Sequence, residues 1–412
     1  LFDYFFNGTL SLGFVFIIYI WIVFFLRWLY SKKYKPYAEE YHEDISTIIP
    51  VYNENFKLFK ECLKSVKNEN PNEIIVVING GGKNEIKYDK IAKSFGATVY
   101  TLPIAGKRPA VTLGIRKASC DIVLLLDSDT ILTKGSLAEL LKAFKDPKVG
   151  GATSTQLILN ANTSIVRKFA GWMEDIRFAI TQKAQSSFES IGCLPGRAIA
   201  FRKNLLLDSL DGFTNERFMG RPCTSGDDRY MTSIVLQKGY KTVLQSTSVV
   251  YTNCPDTFIG FLKQQLRWAR SSQRETFRNL KWLPKYPFTF LSYITDIITP
   301  CFFLIVEINV FYQLVIWGGQ FVNVFQFLVD IFFALFAMNL SIGIKQLDHF
   351  KLYPEDIWLL PIYSIFMTMI MIPLRIYGLL TMADPSWSTR NVIWTDGTKE
   401  NMEAQKEYSV SD

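Results

Sequence analysis

Ile122-Val123-Leu124-Leu125-Leu126-Asp127-Ser128-Asp129 is the stretch on which the reading of the fold turns. Five apolar residues with no polar alternation suit a strand buried on both faces, as in a parallel sheet covered by helices. The two aspartates then emerge at the carboxyl edge of that sheet, where open α/β sheets bind their ligands. Residues i and i+2 of an extended chain point to the same side, so Asp127 and Asp129 are placed to hold one divalent cation and, through it, a diphosphate. Taken alone, the pair reads more readily as a solvated turn after a strand.

The pattern recurs upstream. Ile45 to Ile49, Ile74 to Ile78 and Ala97 to Leu102 are short β-branched runs, followed by Pro50-Val51-Tyr52-Asn53-Glu54, by Asn79-Gly80-Gly81-Gly82 and by Gly106-Lys107-Arg108. Their alternation with amphipathic stretches predicts an α/β domain between about Glu43 and Thr252, a mostly parallel sheet covered by helices. Strand ends of parallel units share one edge, so these clusters and the Asp-Ser-Asp should converge on a nucleotide site. The glycine run lacks the G-x-G-x-x-G spacing of a dinucleotide fingerprint and also fits a plain turn. Lys107 and Arg108, just before a helix, suit a departing diphosphate as well as a solvated helix start.

Three further clusters follow: Gly192-Cys193-Leu194-Pro195-Gly196-Arg197, Gly226-Asp227-Asp228-Arg229 and Gln264-Gln265-Leu266-Arg267-Trp268. In the second, Arg229 can hold one carboxylate and leave the other as a base, unless the pair merely caps a helix. The third falls in a helix predicted from Asp256 to about Leu280, where Arg267, Arg270, Arg274, Arg278 and Lys281 recur every three or four residues. Such a stripe predicts an amphipathic helix on a membrane surface, with Trp268 either an interfacial anchor or a ligand contact.

A membrane is implied by 15% aromatic content and positive mean hydropathy over 412 residues. Leu10 to Leu26 carries no charge and precedes Arg27, Lys32, Lys33 and Lys35, which predicts a retained span with Leu1 outside and the following domain in the cytoplasm. Phe288 to Ile316 and Phe321 to Ile344 read as two more spans, the first holding Asp296, Glu307 and Asn309 as candidate channel-lining groups. Ile357 to Thr381 contains Pro361, Pro373 and Arg375, and is read as a bent interfacial or re-entrant segment. The expected organisation is therefore 1–42 (transmembrane helix and basic flank), 43–255 (cytoplasmic domain), 256–286 (interfacial helix), 287–345 (two spans), 346–383 (bent segment) and 384–412 (loop and tail).

The net charge of +7 is scattered and much of it flanks membrane segments, which favours acidic lipid and an anionic substrate over nucleic acid. Six cysteines without Cys-x-x-Cys pairing argue against a disulfide framework or zinc site, and with only two histidines the base should be a carboxylate.

These motifs in this order, with Trp387-Ser388-Thr389-Arg390 after them, resemble the processive family-2 membrane glycosyltransferases of the cellulose, chitin and hyaluronan synthase group across Ile45 to Asn391. Within the group, Glu73 to Gly80, Gly192 to Arg202 and Lys238 to Val243 are similar to capsular polysaccharide synthases of the pneumococcal type 3 kind. The resemblance implies a GT-A-type domain that uses Mg²⁺ or Mn²⁺ and polymerises UDP-sugars onto a growing β-linked polysaccharide at the cell membrane. The expected donors are UDP-glucose and UDP-glucuronate; a hyaluronan-type or β-glucan synthase is the alternative, and a nonprocessive glycolipid transferase a more distant one.

Residue by residue, the resemblance puts Pro50, Tyr52, Glu54 and Asn79 at the uridine and Lys107 and Arg108 at the diphosphate. Asp127 and Asp129 fall at nucleotide and metal, Asp129 the stronger ligand, and Asp228 becomes the base. Gln264, Arg267 and Trp268 lie at diphosphate and acceptor, with Cys223, Gly196 and Arg197 also near the acceptor and Trp387 and Arg390 in a gating loop.

Overall fold

The computed structural model describes residues 2–80, 84–103, 105–316, 336 and 338–385. Trp387, Arg390 and most of the expected span from Phe321 to Ile344 lie outside the described residues, as do the side chains of Glu307 and Asn309.

The sheet comprises β1 (Ile45–Val51), β2 (Glu73–Asn79), β3 (Thr98–Leu102), β4 (Ile122–Leu126), β5 (Thr130–Leu132), β6 (Val149–Ile158) and β7 (Ala198–Arg202). A small ribbon, β8 (Arg217–Phe218) with β9 (Arg221–Pro222), stands apart, and β10 (Lys241–Thr252) completes the main sheet. Its order is β3-β2-β1-β4-β7-β6-β10-β5. The first four strands are parallel; β7 runs antiparallel to both β4 and β6, and β10 lies parallel to β6. The four strands expected from the sequence are all present, and β4 is buried along its whole length between β1 and β7. That double burial explains its lack of alternation, and each large side chain it removes from water contributes roughly 1.5–3 kcal/mol.

The helices in chain order are α1 (Phe2–Lys33), α2 (Phe56–Glu69), α3 (Glu85–Ser94), α4 (Lys107–Lys117), α5 (Ser136–Leu141), α6 (Ile165–Ile176), α7 (Lys183–Ser186), α8 (Leu210–Thr214), α9 (Asp227–Gln237), α10 (Phe258–Asn279) and α11 (Pro287–Ile316). Two apolar layers sandwich the sheet, one holding Phe59, Leu63 and Phe144, the other Val111, Ile115 and Phe213. Gly114 of α4 touches the sheet so closely that a Cβ would sit 2.3 Å from Ile48, which fixes how near α4, and Lys107 at its start, approaches the strand ends.

Val15–Lys33, Pro287–Ile305 and Pro354–Leu380 are long and apolar enough to cross a membrane, with mean hydropathy 1.6, 1.7 and 2.0. Phe16 stacks on Phe302 at 3.8 Å and the Tyr19 hydroxyl meets Thr295 at 2.6 Å, so α1 packs on α11. Beyond α1, Tyr34 donates to the carbonyl of Leu244, and Gln245, at a register shift in β10, bonds the backbone of Tyr37 in both directions. The basic flank is thereby stitched to the sheet.

Two basic features of the C-terminal half have partners inside the protein. Pro354–Leu380 is one helical run that accommodates Pro373 with a wide turn at Phe366–Met371, and Arg375 faces an internal cavity. The arginine therefore gives no reason to keep this segment at the interface. The arginine stripe of α10 is likewise turned inward in part. Arg270 and Arg274 are buried: Arg270 pairs with Asp384 at 2.9 Å and bonds Thr381, Arg274 donates to the Ser225 carbonyl, and Arg278 pairs with Glu216. Buried cations require partners, and the C-terminal run and the loop before α9 supply them. Gly378 allows the contact, since a Cβ there would meet Ala269 at 2.9 Å.

His349 joins the α/β domain to this C-terminal region, its ring nitrogens 2.8 Å from Asp175 and 3.0 Å from Asp356, which also pairs with Lys168. Burial opposes its protonation, but the two carboxylates outweigh burial and raise its pKa above the ordinary 6.5. A raised folded value means that the stabilisation is fully present below pH 6.5 and is lost as pH rises through the folded value. His349→Gln should therefore lower the melting temperature most at or below pH 6.5, and the gap from wild type should narrow at alkaline pH. A pH-independent gap in detergent-solubilised protein would rule this out.

Candidate active site

The carboxyl ends of β1, β2 and β4 and the start of α4 open onto one cavity of about 600 Å³. Pro50, Glu54, Asn79, Lys107, Asp127 and Asp129 all line it, so the expected convergence of strand ends is met. Asn79 is buried and acts as a clamp: its amide donates to the Val51 carbonyl at 3.2 Å and its oxygen accepts from Gly106 N at 3.1 Å, which sets α4 against β1 and β2. Asp127 is held by its backbone N–H, which donates to the Arg197 carbonyl at 3.0 Å. The hydroxyl of Ser128 reaches Glu54 at 3.4 Å.

Lys107 lies between two carboxylates, 2.6 Å from Asp127 and 3.0 Å from Asp227. This replaces the expected pairing of Arg229 with the Gly-Asp-Asp pair. Burial disfavours the Lys107 ammonium, but the two aspartates overcome it and raise its pKa. The members of the carboxylate pair are driven apart. Burial pushes Asp227 up, yet Lys107 more than compensates and holds it below the ordinary 3.8; Asp228, raised by burial and then by Asp227, sits above it. The two carboxylates of the pair therefore differ in their affinity for a proton. Asp228 accepts from Arg229 N at 2.9 Å and Gly196 N at 3.3 Å, with the Cys193 thiol 3.6 Å away.

Gly226 sets up this turn with φ +88°, and a Cβ on it would lie 3.1 Å from Ser271 of α10. Gly226→Ala should cost about 1–2 kcal/mol in unfolding free energy and lower the transfer rate by displacing Asp228. Wild-type melting temperature and rate in the variant would contradict that placement.

α10 forms the opposite wall with Gln264, Arg267 and Trp268. The Gln264 side-chain oxygen is buried with no hydrogen-bond partner among the described residues. Arg197, paired with Glu174 at 3.1 Å, lies over the Trp268 ring at 5.1 Å, and Arg177 approaches the same ring at 5.8 Å. The cavity then continues to Arg27 of α1, Tyr293 and Asp296 of α11, and Arg375. Within α11, Pro300 has no N–H to offer the Asp296 carbonyl, which leaves that backbone acceptor unsatisfied by the helix.

Three expected site residues are not in the wall. Arg108 is buried and turned inward, pairing with Glu216 and donating to the carbonyls of Phe213 and Ser225, because its helix position faces the α8 side. Cys223 is buried behind the Gly-Asp-Asp turn, and the Tyr52 ring packs against Gly80. Conversely, Cys193, Arg177 and Tyr293 belong to the cavity, and Glu216 anchors Arg108 and Arg278 behind it. Cys193 was visible as part of a glycine-flanked run; nothing in the sequence marks Glu216.

A nucleotide-type sheet edge, a split aspartate pair and an aromatic-bearing helix define a glycosyltransferase. Residues 46–208 match the model of Glycosyl transferase family 2. The hyaluronan synthase of Streptococcus pyogenes is 28% identical over 374 residues, covering 88% of this chain and 87% of that protein. An N-acetylglucosaminyltransferase of Azorhizobium caulinodans is 27% identical over 358 residues, covering 84% of this chain and 87% of its own. Among solved structures, the mannosyltransferase PcManGT from Pyrobaculum calidifontis, in complex with GDP-Man and Mn²⁺, superposes with a TM-score of 0.59 at 17% identity, covering 86% of this chain and 94% of that one. The chain therefore carries a family-2 glycosyltransferase domain on a GT-A-like fold, and over most of its length it is similar to hyaluronan synthases and N-acetylglucosaminyltransferases.

Proposed function

We propose that the chain is a processive, inverting transferase that polymerises UDP-glucose and UDP-glucuronate into a β-linked extracellular or capsular polysaccharide and secretes it across the cell membrane, with its catalytic domain cytoplasmic. The observation that carries this is a single cavity running from Asp127 and Asp129, past Asp228 and Trp268, to Asp296 and Arg375 on the apolar helices. A transferase that releases each product to the cytosol needs no continuation into those helices. The choice of sugars rests on the capsule-synthase likeness of the sequence. UDP-N-acetylglucosamine with UDP-glucuronate is the second reading, favoured by the streptococcal relative.

In the reaction, Asp228 takes the proton of the acceptor hydroxyl as that oxygen attacks the anomeric carbon of an α-linked donor from the face opposite UDP. The glycosidic bond forms as the bond to the diphosphate breaks, so the configuration inverts to β and UDP leaves with the electron pair. Trp268 offers a flat face for the terminal sugar of the acceptor, and Arg267 and Lys107 face the leaving diphosphate. Pro50, Glu54 and Asn79 line the uridine side.

Asp127 and Asp129 present carboxylate oxygens at one edge of the cavity, and no group of three or more His, Cys, Asp or Glu side chains forms a metal cage among the described residues. That donor set fits Mg²⁺ or Mn²⁺, which bind through one or two carboxylates and complete their shell with substrate phosphates and water. By the sequence resemblance, Asp129 is the stronger ligand. When bound, the cation neutralises charge on the departing UDP.

Processivity separates this reading from a glycolipid transferase. After incubation with labelled UDP-sugars, label should partition into water as long polymer, and Trp268→Ala should shorten the product. Label confined to a lipid extract as one added sugar would contradict the proposal.

A further inference from the structure

Glu174, on α6, is a buried carboxylate that the transfer step does not use, and it sits between two guanidinium groups. Its Oε1 is 3.1 Å from Arg197 and its Oε2 is 3.2 Å from Arg177. Both arginines line the cavity, and both lie over the Trp268 ring, 5.1 Å and 5.8 Å from its centroid. A carboxylate taken out of water is tolerated only where charged partners offset its lost hydration, so Glu174 and the two arginines form one unit.

Each arginine comes from a segment that also reaches the reacting groups or the cavity wall. Pro195 to Arg197 leads into β7: Gly196 N donates to Asp228, and the Arg197 carbonyl accepts from Asp127 N. Gln156 of β6 fixes that segment, donating to the Pro195 carbonyl at 2.8 Å and meeting the Arg197 guanidinium at 3.5 Å. Arg177 opens a wide helical turn, Arg177–Gln182, that continues α6 and brings Thr181 and Gln182 into the wall of the cavity. Such turns move side chains out of regular helical spacing and recur at functional sites.

Two guanidinium groups beside one indole repel each other, and without a carboxylate between them they would swing apart into solvent. Held together by Glu174, they keep planar cations over the ring and restrict its rotation. We propose that Glu174 is a positioning residue for chain extension: by holding Arg177 and Arg197 on Trp268 it fixes the plane against which the acceptor's terminal sugar rests, and so sets how many transfers precede release. This rests on the reading of Trp268 as the acceptor platform of a polysaccharide synthase and deepens it, by naming the buried group on α6 that aligns the platform.

The test uses the full chain in nanodiscs, labelled with fluorotryptophan and read by fluorine NMR. Of the nine tryptophans, Trp268 is the resonance lost in Trp268→Phe. Glu174→Gln should shift or broaden that resonance, leave UDP affinity unchanged and shorten the product several-fold. Glu174→Asp, which keeps the charge, should return both readings toward wild type. Arg177→Gln, at a more exposed position, should move the same resonance and keeps the test open should Glu174→Gln fail to fold. A Trp268 resonance unmoved in both glutamine variants, or one that moves while product length stays at wild type, would overturn the proposal. Because the resonance is read without turnover, failure of the wild-type chain to make polymer would count against the synthase reading, whereas an unmoved resonance counts against the role of Glu174 alone.

Discussion

Asp228→Asn should retain UDP binding and lose transfer by about 10²–10⁴-fold, the range expected when a positioned general base is removed. The substitution preserves size, and its one carbonyl oxygen can still accept from Arg229 N, giving up only the longer bond from Gly196 N, so the turn should hold. What disappears is basicity. Asp228 is suited to the role because burial, and then Asp227, lift its pKa above the usual 3.8. The acid limb of kcat/KM should accordingly lie above the ordinary aspartate range, as the base is silenced when pH falls through that raised value. Rapid-mixing turnover together with UDP titration separates the two effects. Undiminished turnover in Asp228→Asn would remove Asp228 as base.

Lys107→Met should be nearly as damaging for a different reason. It withdraws the one ammonium that lies 2.6 Å from Asp127 and 3.0 Å from Asp227, leaving two carboxylates in a half-enclosed site without their cation. Breaking such a pair on one side costs about 3–5 kcal/mol where burial is complete, and less here because both partners keep some solvent contact. Asp227 would lose the interaction that holds its pKa down, and the split between it and Asp228 would collapse. Transfer should fall at least about 10²-fold, with a lowered melting temperature, and Lys107→Arg should restore stability better than rate. A Lys107→Met enzyme with wild-type melting temperature and turnover would show that the bridge has no role.

Much of this was legible in the chain, and the reasons differ by element. β4 announced itself because burial on both faces removes polar alternation, and the aspartates after it had to fall at the carboxyl edge. Asp227 and Asp228 could be paired from sequence, but their partner could not: Lys107 is 120 residues away from Asp227, and Arg229, the sequence neighbour, points instead to Tyr293. The α10 stripe was correctly periodic, but its protein partners were not legible. Helical spacing says which side chains share a face, whereas only the tertiary fold says that Arg270 and Arg278 on it meet Asp384 and Glu216. Arg375 shows the same limit, since an arginine inside an apolar run is costly only if it faces lipid. Arg108 adjoins Lys107 in sequence, yet the helical turn sends it to the opposite side of α4.

The central claim is that one chain carries out repeated β-transfer from UDP-sugars and passes the product along the cavity it was made in. The most direct measurement is to incubate the purified full chain with Mn²⁺ and labelled UDP-glucose and UDP-glucuronate, singly and together, and to size the product. The account predicts a high-molecular-weight β-linked polymer only when both donors are present, abolished by chelator and by Asp228→Asn. A product of one added sugar under all donor combinations would contradict it.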